Sequence, residues 1–312
     1  VLNKAEATAS LIDLAAGEIV ATLPTGAGPH EVALHPAGRW AVVADYGVRA
    51  PGSTLSVLDL EAPRRARRID LGAPIRPHGL TFEPDGVALW VTAETRRELW
   101  RVSFADGSVL ARIPTAGPAS HMVARAPDGR LFVSDLGAGT VLPIEPDGAA
   151  GRPVATGEGA EGIAVSADGQ QLWVTNRASD TVSVLDPTSL EVRRELSCPG
   201  FPIRVALTPD GRTALVSCAR AGEVALFRAV DGRPLGRIRL DLTAVDDGGG
   251  RLFGGRFGAS PVPIGLAVAA DGRRAWVACS GADAVAELDP AGLRVTRILP
   301  AGREPDGIAW LR

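Results

Sequence analysis

Only four histidines occur in this chain of 312 residues, and three of them fall at equivalent places. Six short hairpins turn on Gly38, Gly86, Gly129, Gly169, Gly211 and Gly272. Counting eight residues back from each glycine gives His30, His78, His121, Glu161, Ile203 and Ile264. The matching residue of the C-terminal segment Pro305-Asp306-Gly307-Ile308-Ala309-Trp310 is Asp306. Composition alone predicts about 0.1 histidine over seven such positions. Three imidazoles and a carboxylate (His30, His78, His121 and Glu161) suit one divalent transition metal such as Fe, Cu, Zn or Mn, and the donor set does not choose among them. With a coordination position left open, such an ion polarises a substrate oxygen or activates water or dioxygen. The plainer alternative is a polar ring that holds water and caps strand starts.

For that chemistry to occur, a repeated element must bring the positions together. The turn glycines are 48, 43, 40, 42 and 61 residues apart, and five of them follow an Asp. Asp-Gly supplies the positive φ that a tight hairpin needs. The clearest copy reads Glu161 to Gly169, then Leu172-Trp173-Val174-Thr175-Asn176, Thr181-Val182-Ser183-Val184-Leu185-Asp186, and a last strand near Glu191 to Leu196. Four short antiparallel strands in roughly 42 residues make a propeller blade. Six repeats carry the full phrase. In the seventh, residues 304–312 supply the opening strand, while Thr8 to Asp13 and Glu18 to Leu23 supply the third and fourth within residues 1–27. The expected fold is all-β: a seven-bladed β-propeller of four-stranded antiparallel blades, one domain over residues 1–312, closed by a split blade joining the termini.

On Trp173-Val174-Thr175-Asn176 and Thr181 to Asp186, with repeats over essentially the whole chain, the sequence resembles the YVTN-type β-propeller repeat family. The resemblance implies that the innermost strand of each blade starts at one mouth of a central channel. Asp306, His30, His78, His121 and Glu161 then form an arc over five consecutive blades, and Ile203 and Ile264 complete an apolar side. It also implies that the loops after the second strands share this mouth, bringing Asp45-Tyr46, Glu94, Asp135, Asn176-Arg177, Cys218, Arg220, Cys279 and Asn3-Lys4 there. Relatives of the family include lactonases, lyases, redox-protein subunits, iron oxygenases and proteins without chemistry, so the fold alone assigns no activity.

Around the histidines, Tyr46 is the single Tyr and can move a proton, with Asp306 beside it in role. Arg204 and Arg76 flank two of the register positions, and Arg177 lies in a mouth loop; each is suited to a carboxylate. The long fifth spacing contains a glycine-dense insertion, 241–263, read as a lid in which Phe253, Arg256 and Phe257 fold over a ligand. His35 sits in a turn and is expected to be solvated. The leading expectation is a metal-dependent enzyme acting on a small organic molecule, with lyase, hydrolase and oxygenase steps all open. The alternatives are a metal-free lactonase or cycloisomerase working by acid–base chemistry, and a non-catalytic binding or scaffold propeller with a protein partner.

Other classes fall away. A net charge of −3 and a pI near 5.9 give no electrostatic footprint for nucleic acid. No apolar run approaches 18 residues, so no membrane span is expected. Cys198, Cys218 and Cys279 cannot all pair, and without a CxxC they build neither a disulfide scaffold nor a four-cysteine zinc site; Cys218 and Cys279, at equivalent positions of blades five and six, read as small buried hydrophobes, with ligation of a soft metal as the alternative. HExxH, GxSxG and phosphate-loop patterns are missing. The chain opens at Val1 in mid-strand without a Met, so an upstream segment is expected, either removed or lying outside this sequence. Because the resembled family is often exported, a bacterial extracytoplasmic or periplasmic location is expected, with a cytoplasmic one left open.

Overall fold

The computed structural model describes residues 1–63, 66–245, 250–251 and 256–311. Among these, six four-stranded sheets and one three-stranded sheet, all antiparallel, succeed one another along the chain. The inner strands of blades one to six are Pro29–Leu34, Pro77–Phe82, Ser120–Arg125, Ala160–Val165, Pro202–Leu207 and Pro263–Val268. Blade seven contains Leu2–Asn3, Thr8–Asp13 and Glu18–Pro24. Its inner edge comes from the other end of the chain. Asn3 bridges Pro305, Leu2 N–H donates to Gly307 O at 2.9 Å, and Asp306 N–H donates to Leu2 O at 3.0 Å. The propeller is thus closed by hydrogen bonds between its two termini. No helix among the described residues is long and apolar enough to cross a membrane.

Each repeated turn works by one device. Gly86, Gly129, Gly169, Gly211 and Gly272 all have positive φ. The Asp before each accepts the N–H two residues on, at 2.9–3.0 Å, as in Asp168 Oδ1 with Gln170 N. A side chain that mimics the turn carbonyl beside a residue free to turn left fixes the hairpin. The first turn has Ala37 in place of Asp, and His35 Nδ1 accepts the Ala37 N–H at 3.1 Å instead. His35 is therefore not simply solvated: its Nε2 lies 3.1 Å from Gly86 O of the next blade, and its ring packs edge-on against Phe82 at 5.1 Å.

Blade faces explain the unbroken apolar runs. Leu172 and Val174 face blade three in one cluster, while Trp173, between them, faces blade five in another. With both faces of the sheet covered, alternation of polar and apolar residues disappears. One such cluster fills each of the seven gaps between adjacent blades. All three cysteines are buried in or beside them and unpaired, with Cys198 and Cys218 Sγ atoms 3.6 Å apart between blades four and five.

Candidate functional site

In all six complete blades the register residue is the second of the inner strand, and there the ladder slips by one residue. In blade one, for example, Pro29 pairs with Asp45 but Val32 pairs with Val43, so one extra residue is accommodated. Such a bulge frees a side chain from the alternation of the strand and re-aims it. The residue before each inner strand turns left in six blades: φ is +58° at Gly28, +54° at Arg76, +73° at Gly159, +65° at Phe201, +51° at Val262 and +53° at Glu304. Five of these precede a proline.

Glycines after the register residue let the inner strands crowd together. A Cβ on Gly79 would meet His121 O, Met122 Cα and Val123 N at 2.8 Å, all backbone. A row of hydroxyls ties the same strands laterally. Thr92 Oγ1 accepts the Gly79 N–H at 2.8 Å and donates to His121 O at 2.8 Å. Ser134, Thr175 and Ser217 repeat this between successive blades up to blade six. The imidazoles meet as a result: His78 stacks on His121 with centroids 3.8 Å apart, and His30 lies edge-on to His78 at 4.6 Å.

Ligating atoms of His78, Glu94 and His121 all lie within 4.8 Å of one another. Glu94 opens a single helical turn, Glu94–Arg96, directly after the second strand of blade two, Ala88–Ala93. Its Oε1 is 2.7 Å from His121 Nδ1, and Tyr46 Oη donates to its Oε2 at 3.0 Å. Tyr46 itself stacks on His30 at 4.5 Å, and Arg76 covers the Tyr46 ring at 4.8 Å. His78 is completely buried, and neither of its ring nitrogens has a hydrogen-bond partner.

Glu161 is held differently from the other register residues. Arg177 Nη1 is 2.6 Å from its Oε2, while Arg204 Nη1 at 2.9 Å and His121 Nε2 at 3.3 Å reach its Oε1. Arg204 crosses the channel to Glu31 Oε1, at 2.5 Å from Nη2 and 3.1 Å from Nε. Its guanidinium is thus committed to two carboxylates and to Ile203 O, which leaves little of it for a substrate. Asp306, buried on the other side, has both oxygens without hydrogen bonds; Oδ2 is 3.4 Å from His30 Nδ1 and 3.8 Å from Lys4 Nζ.

Burial and charge divide the protonation states. Burial holds His30 and His78 well below the ordinary imidazole value, with nearby cations adding to the effect, so both are neutral. Burial also opposes a charge on His121, but Glu161 and Glu94 outweigh it and raise its pKa. Burial works against the Glu161 carboxylate too, yet His121, Arg204 and Arg177 bring it down to about 2. Asp306 is pushed up to about 7 by burial, against the pull of Lys4 and Arg204. Tyr46 is pushed up to about 12 by burial and the Glu94 charge.

The apolar side consists of Phe201, Ile203, Ala219, Val262 and Ile264, with Phe257 packed against them. Arg256 and Phe257 of the insertion are described and lie here; Phe253 falls outside the described residues. Arg251 fastens the insertion to the blade-six turn by two bonds of 2.7 Å to Asp283. Asp45, Asp135 and Asn176, which share the loops of the mouth, turn back instead to cap it: Asp45 accepts the Gly26 N–H, Asp135 the Ala119 N–H, and Asn176 donates to Ser183. Glu31 was not among the sequence candidates. Its signal was present, since the residue after each register position is Gly or Met except for Glu31 and Arg204, which have opposite charges.

No protein-family model matches the chain, and no curated protein matches it in sequence. Solved structures do match in fold. A functionally unknown protein from Desulfotomaculum acetoxidans superposes with a TM-score of 0.78 at 16% identity, covering 98% of this chain and 96% of that one. Hydrazine synthase of Kuenenia stuttgartiensis gives 0.74 at 16% identity, over 91% of this chain and 90% of the other. Virginiamycin B lyase from Staphylococcus aureus gives 0.74 at 15% identity, over 91% and 89%. At these identities the likeness establishes the seven-bladed propeller and nothing about chemistry.

Proposed function

We propose that this protein is a metal-dependent enzyme that acts on a small organic molecule at the mouth of its channel. The observation that carries the reading is His78: a fully buried, neutral imidazole with two unpartnered nitrogens, in ligating reach of His121 and Glu94. Buried polar atoms without partners are rare and call for an explanation. Nitrogen and oxygen donors of this kind suit Fe, Cu, Zn or Mn. His30 stands beside them, and Glu161 serves to orient His121, as carboxylates commonly do for ligating imidazoles. A divalent ion held there would supply a Lewis acid for a substrate oxygen. Tyr46 fixes Glu94, while Asp306, titrating near neutrality, is placed to give or take a proton. To ligate, His121 must give up the proton that its two carboxylates favour, so metal affinity should rise with pH.

One observation favours a second reading. His121 is bracketed by Glu94 and Glu161, as a metal-free general acid would be. Elemental analysis separates the two. Protein purified without chelator should carry about one equivalent of Fe, Cu, Zn or Mn, and His78→Ala and Glu94→Gln variants should carry almost none. Wild-type protein that takes up none of the four, even after reconstitution, would overturn the metal reading and leave the acid–base one.

A further inference from the structure

We propose that Lys4 is an amine nucleophile that condenses with a substrate carbonyl at the mouth, so that the molecule taken there is an aldehyde or ketone. Lys4 is the one lysine among the 33 basic residues of the chain; every other is an arginine. The difference is chemical. A guanidinium stays protonated in proteins, whereas a buried lysine readily loses its proton and becomes a nucleophile. The blade repeat sets its place. Lys4 directly follows Leu2–Asn3, the second strand of blade seven, as Tyr46 follows Trp40–Asp45, Glu94 follows Ala88–Ala93 and Arg177 follows Leu172–Asn176. Each of those three reaches a register residue: Tyr46 stacks on His30, Glu94 bonds His121 and Arg177 bonds Glu161. Lys4 does the same for Asp306, with Nζ 3.8 Å from Oδ2. Its own N–H donates to Glu304 O at 3.0 Å, which holds the loop against the C-terminal edge of the blade.

The surroundings suit an amine better than an ion pair. The Lys4 side chain is 15% exposed, so it is largely desolvated and still within reach of solvent. Among the described residues its Nζ donates no hydrogen bond, and both oxygens of the buried Asp306 lack one as well. At 3.8 Å the two groups fall short of the roughly 2.8 Å of a charge-assisted hydrogen bond. Burial lowers the Lys4 pKa and Arg204 adds to the effect, while Asp306, Glu304 and Glu161 oppose it without cancelling it. His30, on the far side of Asp306, is neutral and adds no charge. Attack by Nζ on the carbonyl carbon forms the C–N bond and moves the C=O π pair onto oxygen. The proton leaving nitrogen passes to that oxygen, with the Asp306 carboxyl placed to carry it. Loss of water then breaks the C–O bond and leaves an imine, which takes up one proton. The balance is amine, carbonyl and proton in, iminium and water out, with no oxidant or reductant consumed.

The test is reductive trapping. Pyruvate, acetaldehyde, cyclohexanone and benzaldehyde are each supplied with sodium cyanoborohydride, and peptide mass mapping locates the modified amines. Mapping also separates Lys4 from the α-amino group of the chain. An Arg212→Lys variant supplies a reference amine on an exposed turn, where the Arg212 side chain is 85% exposed. At pH 7 at least one probe should modify Lys4 at least tenfold faster than that reference. The ratio should shrink as pH rises from 7 to 10, because an ordinary lysine, with a pKa of about 10.4, gains its neutral form only there. A lysine that was merely easier to reach would keep one ratio throughout. Chelator-treated protein should give the same ratio, so this idea and the metal reading fail separately. A ratio below tenfold with every probe, or one that does not change with pH, would overturn the proposal.

Discussion

Replacing Arg204 by Met tests whether this arginine is a strut across the channel rather than a hand for substrate. Its guanidinium makes three charge-assisted contacts, one with Glu161 and two with Glu31, and the residue is 6% exposed. At about 1.5–3 kcal/mol each, those contacts give a naive sum well above 4 kcal/mol. The sum overstates the loss. Glu161 keeps Arg177 and His121, Glu31 retains some access to water with its side chain 15% exposed, and Met refills much of the volume. Removing one partner of a buried pair typically costs about 3–5 kcal/mol, because the other charge is left uncompensated, and that is the range expected for Arg204→Met. The assay is urea denaturation at pH 7, with the slope as a check that the same surface unfolds. Adding Glu31→Leu to the variant should recover at least about 1 kcal/mol, since an orphaned carboxylate is exchanged for an apolar side chain. An Arg204→Met protein within about 1 kcal/mol of wild type, or a double variant worse than the single, would refute the strut.

The remaining predictions concern the crowding and titration of the same mouth. Gly79→Ala sets a Cβ against the His121–Val123 backbone at 2.8 Å, so it should cost about 1–3 kcal/mol by overpacking. It should also lower metal uptake, which Ala at the open Gly211 turn cannot do by contact; equal metal content in Gly79→Ala and wild type would count against the close approach of blades two and three. Thr92→Val removes the hydroxyl that serves both Gly79 N–H and His121 O. Leaving two buried groups unpaired should cost about 2–4 kcal/mol in the same denaturation assay, and a loss below about 0.5 kcal/mol would sink the relay. Asp306 has a folded pKa of about 7 against 3.8 unfolded, so the folded state keeps a proton that the unfolded state releases. Wild-type stability therefore falls as pH rises from about 4 to 7, whereas Asp306→Asn lacks that slope. Between pH 4 and 8 the variant should gain on wild type by about 4 kcal/mol; parallel pH profiles would show that Asp306 is ionised throughout.

The propeller was legible because its signals are local. Asp-Gly turns, strand-length apolar runs and a period near 42 residues act through the φ of a single glycine and the burial of both sheet faces. The register of His30, His78, His121, Glu161 and Asp306 could be counted for the same reason, since each stands a fixed distance from a turn. What these residues touch could not be counted. Glu94 joins His78 and His121 because a short helical turn after the second strand of blade two swings it inward. Arg204 meets Glu31 across 173 positions of sequence because the ring closes. Asp306 faces His30 because the two ends of the chain share a blade. Sequence by itself determined the blades, their order and the column of chemical groups. Only the closed ring decided which charges neutralise each other and which histidine is left without a partner, because those contacts depend on the convergence of seven strands on one axis.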